Sequence, residues 1–496
     1  MNYISTRDTK KTINYTAAEA IKQGLAPDGG LLVPETIPTI DKNFVLSLFG
    51  LDYSEKAARI LSLFLEDFDY ERLLEDCRKA YAVPSSFDAR PDSIVKVTDK
   101  LYSLELWHGP TSAFKDMALQ IMPRLLSTSL KMTGEQRTAL ILTATSGDTG
   151  KAALEGYKNV DGTKIIVYYP VDGVSTVQKL QMITQDGDNV NVCAITGNFD
   201  DAQSGVKAIF SDVEFAKKLD QNGYFLSSAN SINWGRLAPQ IAYYIAAYSG
   251  MVESGELEYG EELDVCVPTG NFGNILAAYF AKTMGLPIGT LICASNSNNV
   301  LTDFLTTGTY NRNRPFKTTI SPSMDILISS NLERLIWLFA GSEKTAEYMK
   351  SLSTEGKYTV SESVKEEIDK TFVGYFATEA DTSATIRHHY EKNGYLCDTH
   401  TAVAMFCAQK YADESGSQRK ILVASTASPY KFAADVYAAI DADHAPEGTA
   451  ALAALTKKTG VSIPRPLDNI DSRVVRFNNT ISPEDMKKSI TDYLGI

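Results

Sequence analysis

The sequence predicts an α/β protein built on parallel sheets, and three observations carry that prediction. Short β-rich apolar runs recur along the chain, each followed by Gly, Ser, Thr or Asn and then by a helical pattern: TALILTATSGDTG, KIIVYYP, VNVCAITGNFD, ELDVCVPTGNFGN, TLICASN and KILVASTASPY. Both faces of these strands read apolar, as in a parallel sheet covered by helices on both sides. The chain has 496 residues, and the stretch 96–496 is too long for one simple sheet, so two α/β lobes with a cleft between them are expected. In such folds the functional groups lie in loops beyond the carboxyl ends of the strands.

Taken in order, residues 1–95 read as a separate N-terminal α/β domain. A turn-rich GLAPDGGLLVP is followed by the helix-prone DYSEKAARILSLFLEDF and YERLLEDCRKAY, and the pattern breaks between Val83 and Pro91. Residues 96–496 form the second region, with its smaller lobe expected at roughly 130–250. No internal repeat or low-complexity tract interrupts it, and the Ala-rich Gly448 to Leu455 reads as a loose surface connection.

Composition removes several classes of function. Lys plus Arg number 48 against 61 Asp plus Glu, a net charge of −13, which disfavours nucleic acid and anionic membrane as partners, so an anionic ligand must be held by local groups. The polar start MNYISTRDTKK has no apolar signal core and no later run approaches a membrane span, so a cytoplasmic address is expected. Six cysteines without a C-x-x-C pair read as reduced core residues. No H-E-x-x-H or spaced acidic cluster points to a metal.

Five segments carry chemistry. In PTGNFGNILAAYF a strand stops at Gly270-Asn271-Phe272-Gly273-Asn274 and a good helix begins. Backbone N–H groups and the positive helix end can then meet a phosphate, although an ordinary turn capped by Asn fits the pattern alone. Thr143 to Gly150 clusters hydroxyls and N–H groups at another helix start, where a carboxylate fits. It is no P-loop, since Thr145 stands where the first glycine is required and Ala152 replaces the metal-binding hydroxyl.

In LELWHGPTSAFKDMALQIM, Lys115 follows a turn and is flanked by Phe114, Met117, Ala118 and Leu119; a lysine desolvated in this way loses its proton more readily and can bond to an aldehyde. One such lysine and one phosphate cradle together suggest pyridoxal 5'-phosphate. The strand end ILVASTASPYKF offers Thr426 or a neighbouring Ser as a neutral partner for a pyridine nitrogen. SSANSINWGR gathers Asn230, Ser231, Asn233 and Arg236, a set suited to a second phosphate, or else an arginine paired with a surface carboxylate.

Read together and in this order, GLAPDGGLLVP, HGPTSAFKD, TATSGDTGKAALEG, SANSINWGR, PTGNFGN and STASPYKF resemble the threonine synthase family over nearly the whole chain. That resemblance implies the tryptophan-synthase-like fold of type II pyridoxal-phosphate enzymes with an added N-terminal domain. It also implies the conversion of O-phospho-L-homoserine and water to L-threonine and phosphate by γ-elimination and β-addition of water.

By the same resemblance Lys115 holds the cofactor, Gly270, Asn271, Phe272, Gly273 and Asn274 cradle its phosphate, and Thr426 meets its ring nitrogen. Thr145, Ser146 and Thr149 receive the substrate carboxylate and nearby groups, and Asp148, counted with this substrate loop, stands where more distant relatives of the fold carry Asn near the ring hydroxyl. Asn230, Ser231 and Arg236 contact the substrate phosphate. The chain departs from the family pattern at Ser428 to Phe432, SPYKF for the usual HPAKF. The expected partner is a small molecule and the expected assembly a monomer or homodimer. A serine or threonine dehydratase of the same fold, or a non-catalytic relative, are the competing expectations.

Overall fold

In a computed structural model, which describes residues 1–441 and 446–496, the runs with two apolar faces form the strands of two sheets. The larger has six strands in the order Phe372–Phe376, Ile288–Ser295, Leu263–Pro268, Ile421–Ser425, Leu101–Glu105 and Ser93–Lys96. Its neighbours are parallel except at the last edge, where Ser93–Lys96 runs antiparallel to Leu101–Glu105. The smaller has five strands, all parallel, in the order Thr480–Ile481, Val190–Ile195, Thr163–Pro170, Thr138–Ala144 and Tyr224–Ser227. This is the predicted α/β class. The smaller sheet also takes a strand from near the C-terminus: the Ala194 amide donates to the Asn479 carbonyl at 2.9 Å, and Met486 and Ile490 of the helix Met486–Leu494 are buried against it.

The N-terminal segment pairs Tyr3–Ser5 with Leu32–Pro34 as an antiparallel ribbon and adds four helices. Two of them start with capping boxes, Thr16 with Glu19 and Asp52 with Glu55, which satisfy amides that the helix geometry leaves unpaired. The larger sheet begins at Ser93, inside the stretch the sequence assigns to this domain. The buried core of this segment is continuous with that of the sheets, and the segment closes on the helix Trp234–Glu253, which is buried almost all round. The Trp234 ring lies 5.5 Å from Tyr3, 5.6 Å from Phe64 and 5.5 Å from Phe280.

One expectation is corrected. Gly448 to Leu455 is no loose connection, because Ala450–Thr459 is a helix with Ala451, Leu452 and Leu455 buried on one face. Alanine is the strongest helix former, and its small side chain lets the helix pack closely. All six cysteines are buried and free. Among the described residues no helix is long and apolar enough to cross a membrane, and no group of His, Cys, Asp and Glu is arranged to hold a metal.

Candidate active site

Every chemistry-bearing loop leaves the carboxyl end of a parallel strand, three from the larger sheet and two from the smaller. Two of the three are tied together by backbone. Phe114 donates to the Thr426 carbonyl at 2.8 Å and Ser428 to the Ser112 carbonyl at 3.0 Å, around an isolated bridge between Ala113 and Ala427. The turn before Lys115 is held by Asp116, whose carboxylate accepts from the Thr111 amide at 2.8 Å and hydroxyl at 2.7 Å. Lys115 is thereby fixed as a nearly buried residue, 8% exposed, with Nζ 4.8 Å from the Phe114 ring centre. Burial is the main cause that brings its pKa down to about 8; Asp148 opposes this, while Arg236 and Lys431 add to it.

The third loop of the larger sheet runs from Gly270 to Asn274. Phe272 takes the left-handed conformation at φ 62°, and among the described residues no side chain caps the helix Gly273–Thr283 that follows, which leaves its first amides suited to a ligand. The Asn274 Oδ1 accepts from the hydroxyls of Tyr243, at 2.6 Å, and Tyr244. Its Nδ2 is thereby turned away from them, a buried donor without a partner among the described residues. At Gly270 a Cβ would stand 2.9 Å from the Ser323 carbonyl oxygen, so a strap between residues 312 and 331 passes directly over the loop. Ser329 Oγ pins it to the Gly270 carbonyl at 2.7 Å, and Asn331 Nδ2 donates to the Asn271 carbonyl at 3.1 Å.

From the smaller sheet, Thr145 to Thr149 opens the helix Asp148–Tyr157. Thr145 turns inward, its hydroxyl accepting from Gly147 at 3.0 Å and Gly150 at 2.9 Å. Gly147 is required at its position, with φ 142° and a Cβ that would meet Gln178 at 2.4 Å. Ser146 and Thr149 are half-buried at the rim. Asp148 is buried between two lysines, with Oδ1 2.7 Å from Lys431 Nζ and Oδ2 3.9 Å from Lys115 Nζ. Burial alone raises a carboxyl pKa, but the lysines and Gln178 hold this one well below the usual range.

The second smaller-sheet loop carries Asn230, Ser231 and Arg236. Arg236 is 5% exposed and donates to the Ala229 carbonyl at 2.6 Å, with no ion pair among the described residues. It therefore departs from a surface arginine matched by a carboxylate. Burial brings its pKa down to about 10, and the Tyr157 hydroxyl, within electrostatic reach of it, is also buried without a partner among the described residues. Ser231 accepts at 2.9 Å from Asn331 Nδ2, which joins this loop to the Gly270 to Asn274 turn. Asn230 is half-buried, its amide donating to Ser228 Oγ at 3.2 Å.

Six further residues take part: Arg334, Ser323, His400, Asp398, Asn331 and Lys431. Arg334, fully buried, donates to the carbonyls of Ile232 at 2.6 Å, Ser231 at 3.3 Å and Leu32 at 3.1 Å. It ties the Ser231 loop to the N-terminal ribbon. Ser323 donates its hydroxyl to Asp148 at 3.3 Å and its amide to His400 Nε2 at 3.1 Å, and Asp398 accepts from His400 Nδ1 at 2.8 Å. Asn331 joins two loops. Lys431 is fully buried, and its signal was available: Tyr430 and Phe432 give it the same semi-apolar setting that marks Lys115. Ser428, which stands where the family pattern has His, caps the turn before Lys431 by accepting from the Tyr430 amide at 3.3 Å.

Residues 2–81 match the family described as threonine synthase N terminus, 94–427 the pyridoxal-phosphate dependent enzymes, and 401–470 the threonine synthase C-terminal family. Threonine synthase of Saccharomyces cerevisiae is 36% identical over 92% of this chain and 94% of its own length. Human threonine synthase-like 1 is 39% identical over 85% of this chain, which spans 58% of the length of that relative. The crystal structure of PLP-bound threonine synthase from Brucella melitensis superposes with a TM-score of 0.87 and 35% identity, covering 100% of this chain and 98% of that one.

Proposed function

The chain belongs to the threonine synthase family of pyridoxal-phosphate dependent enzymes, and from that membership we propose that it converts O-phospho-L-homoserine and water to L-threonine and phosphate as a carbon–oxygen lyase acting on a phosphate. The observation that supports the reading is one desolvated lysine with two groups of donors suited to anions near it. Among the described residues, the uncapped first amides of Gly273–Thr283 and the partnerless Asn274 Nδ2 supply one, and Arg236, which has no ion pair, supplies the other.

The residues fit the cofactor. Its phosphate suits the Gly270, Asn271, Phe272, Gly273 and Asn274 turn, its aldehyde suits Lys115, and its ring nitrogen suits a hydroxyl partner in Thr426. When bound, the cofactor supplies an aldehyde for the substrate amine and a ring that accepts electrons from the α carbon.

The chain's own groups do the rest. Ser146 and Thr149, on the loop braced by Thr145, receive the substrate carboxylate at the start of a helix, where the dipole favours an anion. Asn230, Ser231 and Arg236 hold the substrate phosphate and stabilise the charge that develops on it as it leaves. Lys115 Nζ takes and returns protons at the α and γ carbons, and a pKa near 8 suits it to both directions at neutral pH. Burial of Lys115, Asp148 and Arg236 keeps bulk water from the charged intermediates of the reaction.

The same reading puts the reaction in the cytoplasm, where six thiols stay out of disulfides, and in a monomer or homodimer. Incubation with O-phospho-L-homoserine tests it: equal amounts of threonine and phosphate are expected. Homoserine with phosphate, or a keto acid with ammonia, would overturn it.

A further inference from the structure

Two ammonium groups share one buried carboxylate, and they do not share it equally. Lys431 is 2.7 Å from Asp148 Oδ1, the hydrogen-bonding range, whereas Lys115 is 3.9 Å from Oδ2. The remaining capacity of Asp148 is taken by Gln178 Nε2 at 2.9 Å and Ser323 Oγ at 3.3 Å. We propose that Lys431 is a positioning residue for Lys115: by engaging Asp148 it stops that carboxylate from closing onto the neighbouring lysine as its ion-pair partner.

The position of Lys431 is fixed from several sides. It lies on the turn Pro429–Phe432, which is capped by Ser428 and held at the far end by the Tyr430 hydroxyl, 2.9 Å from Thr456 Oγ1. A fully buried ammonium is stable only where it is paired, and Lys431 pairs with Asp148 and donates to the Thr111 carbonyl at 3.0 Å. Among the described residues, the charged groups that act on Lys115 are Asp148 from the helix Asp148–Tyr157, Arg236 from Trp234–Glu253, Lys431 from its turn, and Asp116 from the helix Lys115 itself begins. Asp116 is occupied by Thr111.

Without Lys431, Asp148 has one ammonium left to pair with, and Lys115 is held in its charged form. A protonated lysine is a poor nucleophile and a poor base, so the presence of Lys431 keeps Lys115 available for both tasks.

The inference rests on the assignment of Lys115 for its consequence, but it is tested without cofactor or substrate, so either can fail while the other stands. In protein stripped of cofactor, brief acetic anhydride labelling at a series of pH values, with the Lys115 peptide quantified by mass spectrometry, gives the midpoint at which its amine becomes reactive. Lys431→Met should raise that midpoint by about one unit or more, a loss of roughly tenfold in labelling at fixed pH below it. Asp148→Asn should lower it, and Lys431→Met combined with Asp148→Asn should return it to the wild-type value or below. If Lys431→Met does not fold, Lys431→Gln, alone and with Asp148→Asn, carries the same pair of expectations. An unmoved midpoint in the single variant, or a raised one that the second substitution does not restore, overturns the proposal.

Discussion

The amide of Phe114 donates to the carbonyl of Thr426 at 2.8 Å, so the lysine loop and the end of the strand Ile421–Ser425 are joined one residue before Lys115. Rigid backbone of the larger sheet therefore sets the spacing between the group proposed to hold the aldehyde and the group proposed to meet the ring nitrogen. A ring bound between them is pre-positioned, which lowers the entropy lost on binding.

The first prediction concerns which lysine carries the cofactor. Borohydride reduction should trap it on Lys115, and Lys115→Ala should abolish trapping. Lys431 is the informative competitor, because it is buried in the same site. Trapping that maps to Lys431 would reverse the roles given to the two residues.

Gly273 tests the phosphate cradle. A Cβ there would lie 3.4 Å from Asn331 Nδ2, an ordinary contact, so the fold should tolerate a substitution. The branches of Gly273→Val would nevertheless stand before the open amides. Cofactor affinity should fall about tenfold or more, ~1.4 kcal/mol, with little change in thermal unfolding of the cofactor-free protein. Unchanged affinity in a folded variant would remove this turn from the site.

Much of this was legible in the sequence because the signals are local. A strand buried on both faces shows as a run of apolar residues, and the loops at Thr145, Gly270 to Asn274 and Thr426 begin where such a run stops, whereas Lys115 stands out through its own apolar neighbours Phe114, Met117, Ala118 and Leu119. The strands Leu101–Glu105 and Phe372–Phe376 are harder to see, since Ser103, Glu105 and Gly374 interrupt them. The strap between 312 and 331 has no period at all. Its place over the cradle comes from Ser329 and Asn331 bonding to a turn some sixty residues earlier in the chain. Arg334 and Lys431 likewise gain their meaning from partners far away in sequence, Leu32 and Asp148. Composition misled once, at Gly448 to Leu455, because small apolar residues read as loose until a helix face buries them.

Arg236→Ala tests the second anion site. Removing a buried guanidinium that binds the substrate phosphate should lower kcat/KM for O-phospho-L-homoserine by about 2–4 kcal/mol while leaving cofactor content unchanged. An equal loss with a substrate that lacks the phosphate would place Arg236 elsewhere in the reaction.

The central claim is that phosphate leaves by breakage of the bond between the γ carbon and oxygen, with water entering later at the β carbon. Running the reaction in heavy-oxygen water that also carries deuterium tests it most directly. The account predicts the heavy oxygen in the threonine hydroxyl, none in the released phosphate, and deuterium at the α and γ carbons, where Lys115 and exchangeable groups return solvent protons. Heavy oxygen in the phosphate, with homoserine as the other product, would show attack at phosphorus and contradict both the family-based function and the role given to Lys115.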